Sequence, residues 1–284
     1  MKLAYYPGCS LEATAREYDQ SSRAVCRELG IELKELDDWN CCGSSSAHNL
    51  NHLLAAGLSA RNIALAQREG MDITVPCAAC FARLRKADHL LKQGGEMKKE
   101  LEEMVEFKYT GQVGIISLLE AVVERAGIDL ISKKVKKPLK NLKVVCYYGC
   151  LMVRPPEVRG FDRVENPVML DRLMECLGAD VRPWSHKTEC CGASLSLTRV
   201  EVVEGLVARL TGAAREAGAE AMVTMCPLCQ SNLEMRQKGP GKMPSFYFTE
   251  MLGLALGLPD TPEWLGRHIN NPAGLINKTV NSDK

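Results

Sequence analysis

The sequence predicts an α/β protein made of two pseudo-symmetric repeats, each a small mostly parallel sheet with flanking helices and one site built around a Cys-Cys-Gly motif. Three observations carry this prediction. A five-cysteine pattern occurs twice; the spacing inside it is partly invariant; and strand-like and helix-like periodicities alternate within each copy. The first copy reads Tyr5-Tyr6-Pro7-Gly8-Cys9, Cys41-Cys42-Gly43 and Cys77-Ala78-Ala79-Cys80. The second reads Tyr147-Tyr148-Gly149-Cys150, Cys190-Cys191-Gly192 and Cys226-Pro227-Leu228-Cys229. In both, 33 residues separate the Cys-Cys-Gly glycine from the Cys-x-x-Cys pair, whereas the lone cysteine precedes Cys-Cys by 31 residues in one copy and 39 in the other. A fixed internal period marks a duplicated structural unit.

Taken in order, Leu3 to Tyr6 reads as a buried strand, Ala13 to Leu29 as a helix with Tyr18, Val25, Cys26 and Leu29 on one face, and Ile31 to Leu36 as a second strand. A helix follows each Cys-Cys-Gly. In the second copy Thr198-x-x-Glu201 predicts a capping box, and Val202, Val203, Leu206, Val207 and Leu210 an inward stripe. Strands at Ile73 to Val75 and Ala221 to Thr224 lead into the Cys-x-x-Cys pairs. Each copy closes with a helical segment in which a Glu and a Gly stand seven apart, Glu120 with Gly127 and Glu250 with Gly257. The charged stretch Lys92 to Lys108 lacks an equal counterpart and predicts a helical insertion. The basic run Lys133 to Pro138 places a domain boundary, giving a first repeat at 1–137 and a second at 138–284. Alternating β and α at this spacing predicts parallel strands with crossover helices, and sites at the strand ends.

The chain has 284 residues and a formal net charge of +1, with charged residues at 25%. So balanced a charge gives no field that would gather nucleic acid or an anionic membrane surface. No apolar run approaches the roughly 18 residues of a membrane-spanning helix, and the start of the chain lacks a signal-peptide pattern, so a cytoplasmic protein is expected. Thirteen cysteines in a chain of this size are too many, and too clustered, for disulfide staples in a reducing compartment. They read as ligands.

Five thiols per copy is the informative number. A structural zinc site takes four ligands and a cubane cluster usually takes four cysteines, so five fits a multi-iron site better, with zinc in one repeat as the alternative. Gly43 and Gly192 suit the tight turn such a group needs, and Gly8 and Gly149 suit close backbone approach to it. A Cys-x-x-Cys at a helix start puts thiolates against unpaired N–H groups and the positive dipole end, and Pro227 suits a first helical position.

Two copies of this pattern resemble the CCG domains in the B subunit of heterodisulfide reductase, and the likeness spans nearly the whole chain. The resemblance implies two noncubane [4Fe-4S] clusters, one held by Cys9, Cys41, Cys42, Cys77 and Cys80, the other by Cys150, Cys190, Cys191, Cys226 and Cys229. It implies reduction of a mixed disulfide to two thiols between the repeats, each cluster supplying one electron. It also implies a complex in which this chain is joined by a ferredoxin-like iron–sulfur protein and by a flavin-containing protein, the C and A components of that reductase. More distant relatives with CCG domains belong to succinate, glycolate and lactate oxidoreductases, which makes an electron-transfer role the alternative; the completeness of both sets favours the reductase.

Other residues are weighed against plainer roles. Cys26, Cys146 and Cys176 fall on apolar faces and read as core thiols. His48, His52 and His186 lie near the Cys-Cys-Gly motifs and could supply protons, with His186 and Lys187, just ahead of Cys190, as the catalytic candidates. Arg154, Arg159 and Arg199 could bind an anionic substrate group or serve in ordinary ion pairs. Trp39 and Trp184 could shield a cluster or simply fill core.

Overall fold

The computed structural model describes residues 1–44 and 47–280, apart from the side chains of Thr279 and Val280. Strands β1 (Lys2–Tyr5), β2 (Glu32–Glu35), β3 (Ile73–Val75) and β4 (Ile115–Ser117) form one all-parallel sheet in the order β2-β1-β3-β4. Strands β5 (Lys143–Tyr147), β6 (Asp180–Val181), β7 (Ala221–Thr224) and β8 (Ser245–Tyr247) repeat it as β6-β5-β7-β8. The register repeats too, with Tyr5 beside Thr74 and Tyr147 beside Thr224. The predicted class therefore holds. Central strands covered on both faces read as unbroken apolar runs: every residue of β7 is buried, as are Leu3, Ala4 and Tyr5 of β1. Edge strand β2 is Glu-Leu-Lys-Glu and none of it is fully buried, a composition that discourages pairing with another chain.

Parallel neighbours require crossovers, so helices fill every connection. Helices α1 (Gly8–Glu12) and α2 (Arg16–Glu28) join β1 to β2, and α3 (Ala47–Leu50) and α4 (His52–Glu69) join β2 to β3. The Asn51 side chain caps α4 by accepting from Leu54 N at 3.0 Å. Between β3 and β4 lie α5 (Ala78–Gln93) and the inserted α6 (Gly95–Met104); after β4 come α7 (Leu118–Glu120), a π-helical segment (Ala121–Gly127) and α8 (Ile128–Lys134). The second repeat has α9 (Cys150–Val153), α10 (Pro156–Arg159) and α11 (Met169–Cys176), then α12 (Val200–Glu216), α13 (Pro227–Met235) and α14 (Phe248–Leu256). Helices α15 (Thr261–Leu265) and α16 (Ala273–Val280) follow. The matching closing helices begin alike. Glu120 accepts from Ser117 N at 2.6 Å, and Glu250 from Tyr247 N at 2.8 Å.

Two local expectations fail. Thr198 does not cap α12: Thr198 N and Arg199 N both bond back to Leu195 O in the turn after Gly192, the helix starts at Val200, and the Arg199 guanidinium takes the Glu201 carboxylate at 2.7 Å. The buried stripe is accordingly Val203, Val207, Leu210, Thr211 and Ala214, with Val202 exposed and Leu206 half-buried. Helix α2 likewise begins at Arg16, because Ala13 to Ala15 turn back onto Ser10 O.

The repeats share one core. Helix α2 packs on α14 and α15, where Tyr18 stacks on Tyr247 and Ser21 Oγ meets Thr249 Oγ1 at 2.7 Å. The Ala255 carbonyl accepts from both Lys136 N and Lys137 N at 2.9 Å, which ties the connecting run to α14. His268 is buried between two carboxylates, Nδ1 at 2.6 Å from Glu234 and Nε2 at 2.9 Å from Glu250, fixing the segment after α15.

Candidate metal centre

In both sheets the chain first winds outward and then reverses, so the crevice between β1 and β3, and between β5 and β7, is the topological switch point where open α/β sheets place sites. The ten motif cysteines sit there. Cys9 and Cys150 open the short helices after β1 and β5, Cys41-Cys42 and Cys190-Cys191 follow β2 and β6, and Cys77 and Cys226 are the N-caps of α5 and α13. Pro227 occupies the first helical turn, as its fixed φ allows.

Backbone glycines let the chain come close. Gly8 has φ +70, and a Cβ added there would lie 2.9 Å from Cys80 Sγ; Gly149 has φ +72, and its Cβ would lie 3.2 Å from Cys229 Sγ. The same residues thus meet a conformational and a spatial requirement in both repeats.

Within each set the sulfurs touch in equivalent ways. Cys42 Sγ lies 3.3 Å from Cys80 Sγ, and Cys191 Sγ 3.5 Å from Cys229 Sγ. Gly43 N donates to Cys41 Sγ at 3.4 Å and Gly192 N to Cys190 Sγ at 3.3 Å. Cys9 and Cys190 reach the open rim, whereas Cys42, Cys77, Cys80, Cys191, Cys226 and Cys229 are buried. The sets lie close to each other as well: Cys77 and Cys226 are near enough across the junction of the repeats that each shifts the ionisation of the other.

Proton sharing sorts these thiols. Hydrogen bonds from Cys41 and then Cys80 pull Cys42 down to about 3, and one from Cys150 brings Cys190 to about 6. Cys226 is lowered by Cys229, by Cys77 and by N–H groups of its helix start, while Cys77 is raised chiefly by Cys226, and Cys229 by Cys191 and then Cys226. In each set at least one thiol is therefore shifted toward the thiolate, the form that binds metal.

Tyrosines frame the site in a way the cysteine spacing alone does not disclose. Tyr6 donates to Asn40 O at 2.8 Å and Tyr147 to Glu189 O at 2.7 Å, so each phenol holds the residue just ahead of a Cys-Cys pair. Burial and the neighbouring thiols push both phenols up, keeping them protonated donors. Tyr18 Oη lies 3.2 Å from Pro76 O and 3.1 Å from Met225 O, reaching the residues that precede Cys77 and Cys226. The signal in the sequence is the placement of Tyr6 and Tyr147, each three residues before a lone cysteine, Cys9 or Cys150.

Two buried thiolate-bearing sets, each lined by a backbone with no Cβ in the way, fit iron–sulfur clusters as donor sets. Among the described residues, no three His, Cys, Asp or Glu side chains stand in the geometry of a single-ion site.

The remaining candidates fall in varied surroundings. His186 stacks on Trp184 with centroids 5.8 Å apart; its Nδ1 is 3.0 Å from Ser185 Oγ and its Nε2 3.7 Å from Glu189. The Lys187 ammonium is buried on Asp171 at 2.7 Å and Pro167 O at 3.0 Å, while its carbonyl accepts from Tyr148 N and Gly149 N and so steers the chain into Cys150. His52 starts α4 at the surface, and His48 Nδ1 is buried without a hydrogen bond among the described residues. Arg154 joins Glu165 and Thr188 O, and Arg199 joins Glu201. Arg159 is buried with Nε on Leu151 O. Trp39 packs edge-on against Tyr6, and Trp184 donates to Cys146 O. Cys26 and Cys146 are fully buried core thiols, and half-buried Cys176 faces Ile128 O.

The chain is 32% identical over 268 residues to the 8-methylmenaquinol:fumarate reductase membrane anchor subunit of Wolinella succinogenes, covering 91% of this chain and 93% of that one. It is 26% identical over 278 residues to the B subunit of the ferredoxin/F420H2-dependent CoB-CoM heterodisulfide reductase of Methanosarcina acetivorans, covering 93% and 92%. A protein of Archaeoglobus profundus named for its likeness to the heterodisulfide reductase B subunit is 26% identical, covering 100% and 99%. Among solved structures, a hypothetical protein from Helicobacter pylori superposes with a TM-score of 0.73 at 12% identity, covering 95% of this chain and 52% of that one, a likeness of fold. No helix among the described residues is long and apolar enough to cross a membrane. The cysteine-rich domain, CCG, matches residues 3–85 and 144–234, the two stretches that carry the two thiol sets, and the chain therefore belongs to the CCG cysteine-rich domain family, with one copy of the domain in each repeat.

Proposed function

We propose that the chain is the iron–sulfur subunit of a cytoplasmic oxidoreductase complex and that it reduces a small-molecule disulfide to two thiols. The observation that carries this reading is Tyr18 Oη bridging Pro76 O at 3.2 Å and Met225 O at 3.1 Å, which sets the residues entering Cys77 and Cys226 side by side. Bound at these sets, two noncubane [4Fe-4S] clusters would each supply one electron. A disulfide takes up two electrons and two protons to give two thiols, so adjacent one-electron sites avoid release of a half-reduced radical. The chain's own residues would hold the clusters, and they bury Cys42, Cys77, Cys80, Cys191, Cys226 and Cys229 while leaving Cys41 and Cys150 partly exposed and Cys9 and Cys190 at the rim. His186, partly exposed and four residues before Cys190, is the proposed proton donor, with Lys187 setting the position of the neighbouring loop. A ferredoxin-like iron–sulfur protein and a flavin-containing protein would bring the electrons, as the likeness to the heterodisulfide reductase B subunit supports.

A second reading, transfer of electrons between a quinol and fumarate, is favoured by the 32% identity to the Wolinella protein. Assays of the purified complex with disulfides and with quinones separate the two. Rapid disulfide reduction lost in Cys42→Ser together with iron supports the first; inert disulfides with rapid quinone turnover overturn it.

A further inference from the structure

Three arginines converge beside the thiol sets without a salt bridge among the described residues. Arg83 and Arg85 project from α5, just beyond Cys80, and Arg159 ends α10, which packs on α5. Arg159 is only 7% exposed, its Nε is spent on Leu151 O at 3.1 Å, and its Nη1 is buried with no hydrogen-bond partner among the described residues. Arg85 comes near enough that one of its terminal nitrogens would lie 3.0 Å from a Cβ at Gly160, and its Nε donates to Val158 O at 3.2 Å. Arg83 feels the Cys42 thiolate. Burial first, then Arg83 and Arg85, lowers Arg159 to about 10 against the opposing pull of Glu157, a sign of like charges held together.

Such a cluster opposes folding, because like charges repel and a buried guanidinium N–H without an acceptor loses its hydration. The fold does not demand it. At the equivalent positions after the second Cys-x-x-Cys, three and five residues past Cys229, stand Asn232 and Glu234, both hydrogen-bonded inside the protein. This cluster of positive charge thus belongs to one side of the pseudo-symmetric junction, where α5 leaves the Cys77–Cys80 pair and Arg159 bonds Leu151 O next to Cys150. Local conflicts with stability mark functional positions. By contrast, the open hollow of about 350 Å³ beside Trp39 is lined by Glu12, Glu35, Asp37 and Asp38 and would repel an anion.

We propose that Arg83, Arg85 and Arg159 form an oxyanion-binding site that receives a carboxylate, sulfonate or phosphate group of the molecule reduced at the thiol sets. The planar guanidinium fork suits such groups, and the vacant N–H of Arg159 would complete the contact. The identity of the reduced molecule rests on the function proposed above; the oxyanion site does not.

The test has two arms on the cluster-loaded protein. In the first, inorganic sulfate is titrated calorimetrically at constant ionic strength in chloride. Wild type binds it, and Arg159→Gln weakens binding at least tenfold; Arg83→Gln, at a partly exposed position, does the same if Arg159→Gln does not fold. Equal binding by wild type and both variants, or no binding by wild type, overturns the site. In the second, KM is compared for a disulfide with two carboxylates and one with two hydroxyls. The ratio of the two shifts at least tenfold against the carboxylates in the variants; an unchanged ratio overturns substrate recognition there. Sulfate binding lost in the variants while no disulfide is reduced by wild type sustains the oxyanion site and rejects the disulfide reading instead.

Discussion

Tyr18 lies flat on Tyr247, the ring centroids 4.1 Å apart and the planes inclined by 3°. Its hydroxyl reaches Pro76 O and Met225 O at the same time, so one side chain of the first repeat touches the entry to both Cys-x-x-Cys helices. Tyr18→Phe keeps the stack and loses the hydroxyl, an expected cost of about 1 kcal/mol with two carbonyls left short of a donor. Tyr18→Ala also loses the ring and costs ~3–5 kcal/mol. Urea unfolding of the two variants, with iron content measured alongside, checks the order; equal loss in both would contradict the stacking argument.

Gly8 offers a test of close approach that separates it from backbone strain. Gly8→Ala and Gly30→Ala both place a side chain at positive φ, +70 and +74, costing roughly 1 kcal/mol each. Only at Gly8 does the new Cβ also meet Cys80 Sγ; at Gly30 nothing lies within 4 Å. Iron and sulfide content should fall in Gly8→Ala and stay at the wild-type level in Gly30→Ala.

His268 predicts a pH dependence. Burial would lower its pKa, but Glu250 and Glu234 outweigh burial and raise it to about 10. A group raised in the folded state stabilises fully below its unfolded value of about 6.5 and loses that contribution as pH rises toward 10. Wild-type stability should therefore decline across this window relative to His268→Gln, whose own stability is lower at neutral pH by ~3 kcal/mol because two buried carboxylates lose their partner. Parallel denaturant titrations at several pH values would show the difference between the two proteins shrinking with pH; a constant difference would refute it.

Cysteines outside the motifs should be silent in metal analysis. Cys26→Ala and Cys146→Ala alter fully buried core positions. Both should retain wild-type iron, whereas Cys191→Ser, which removes a sulfur 3.5 Å from Cys229 Sγ, should lose it from the second set.

The duplication and the parallel strands were legible because they follow from local periodicity and repeated spacing, as Ile73 to Val75 and Ala221 to Thr224 illustrate. The start of α12 was not, since the helix boundary depends on Arg199 taking the carboxylate that Thr198-x-x-Glu201 offered as a cap. Contacts between distant segments were equally hidden. Nothing near position 268 announces Glu234 and Glu250 as its partners, and nothing near Tyr18 announces Met225. Lys187 could be noticed beside Cys190, but its burial on Asp171 arises from the packing of α11 against β5.

The mutual influence of Cys77 and Cys226 means that the two halves cannot be filled as separate vessels. Removing a proton or adding iron on one side changes the charge that the other side feels, so reconstitution of the metal-free chain should show interdependent uptake instead of two unrelated binding steps.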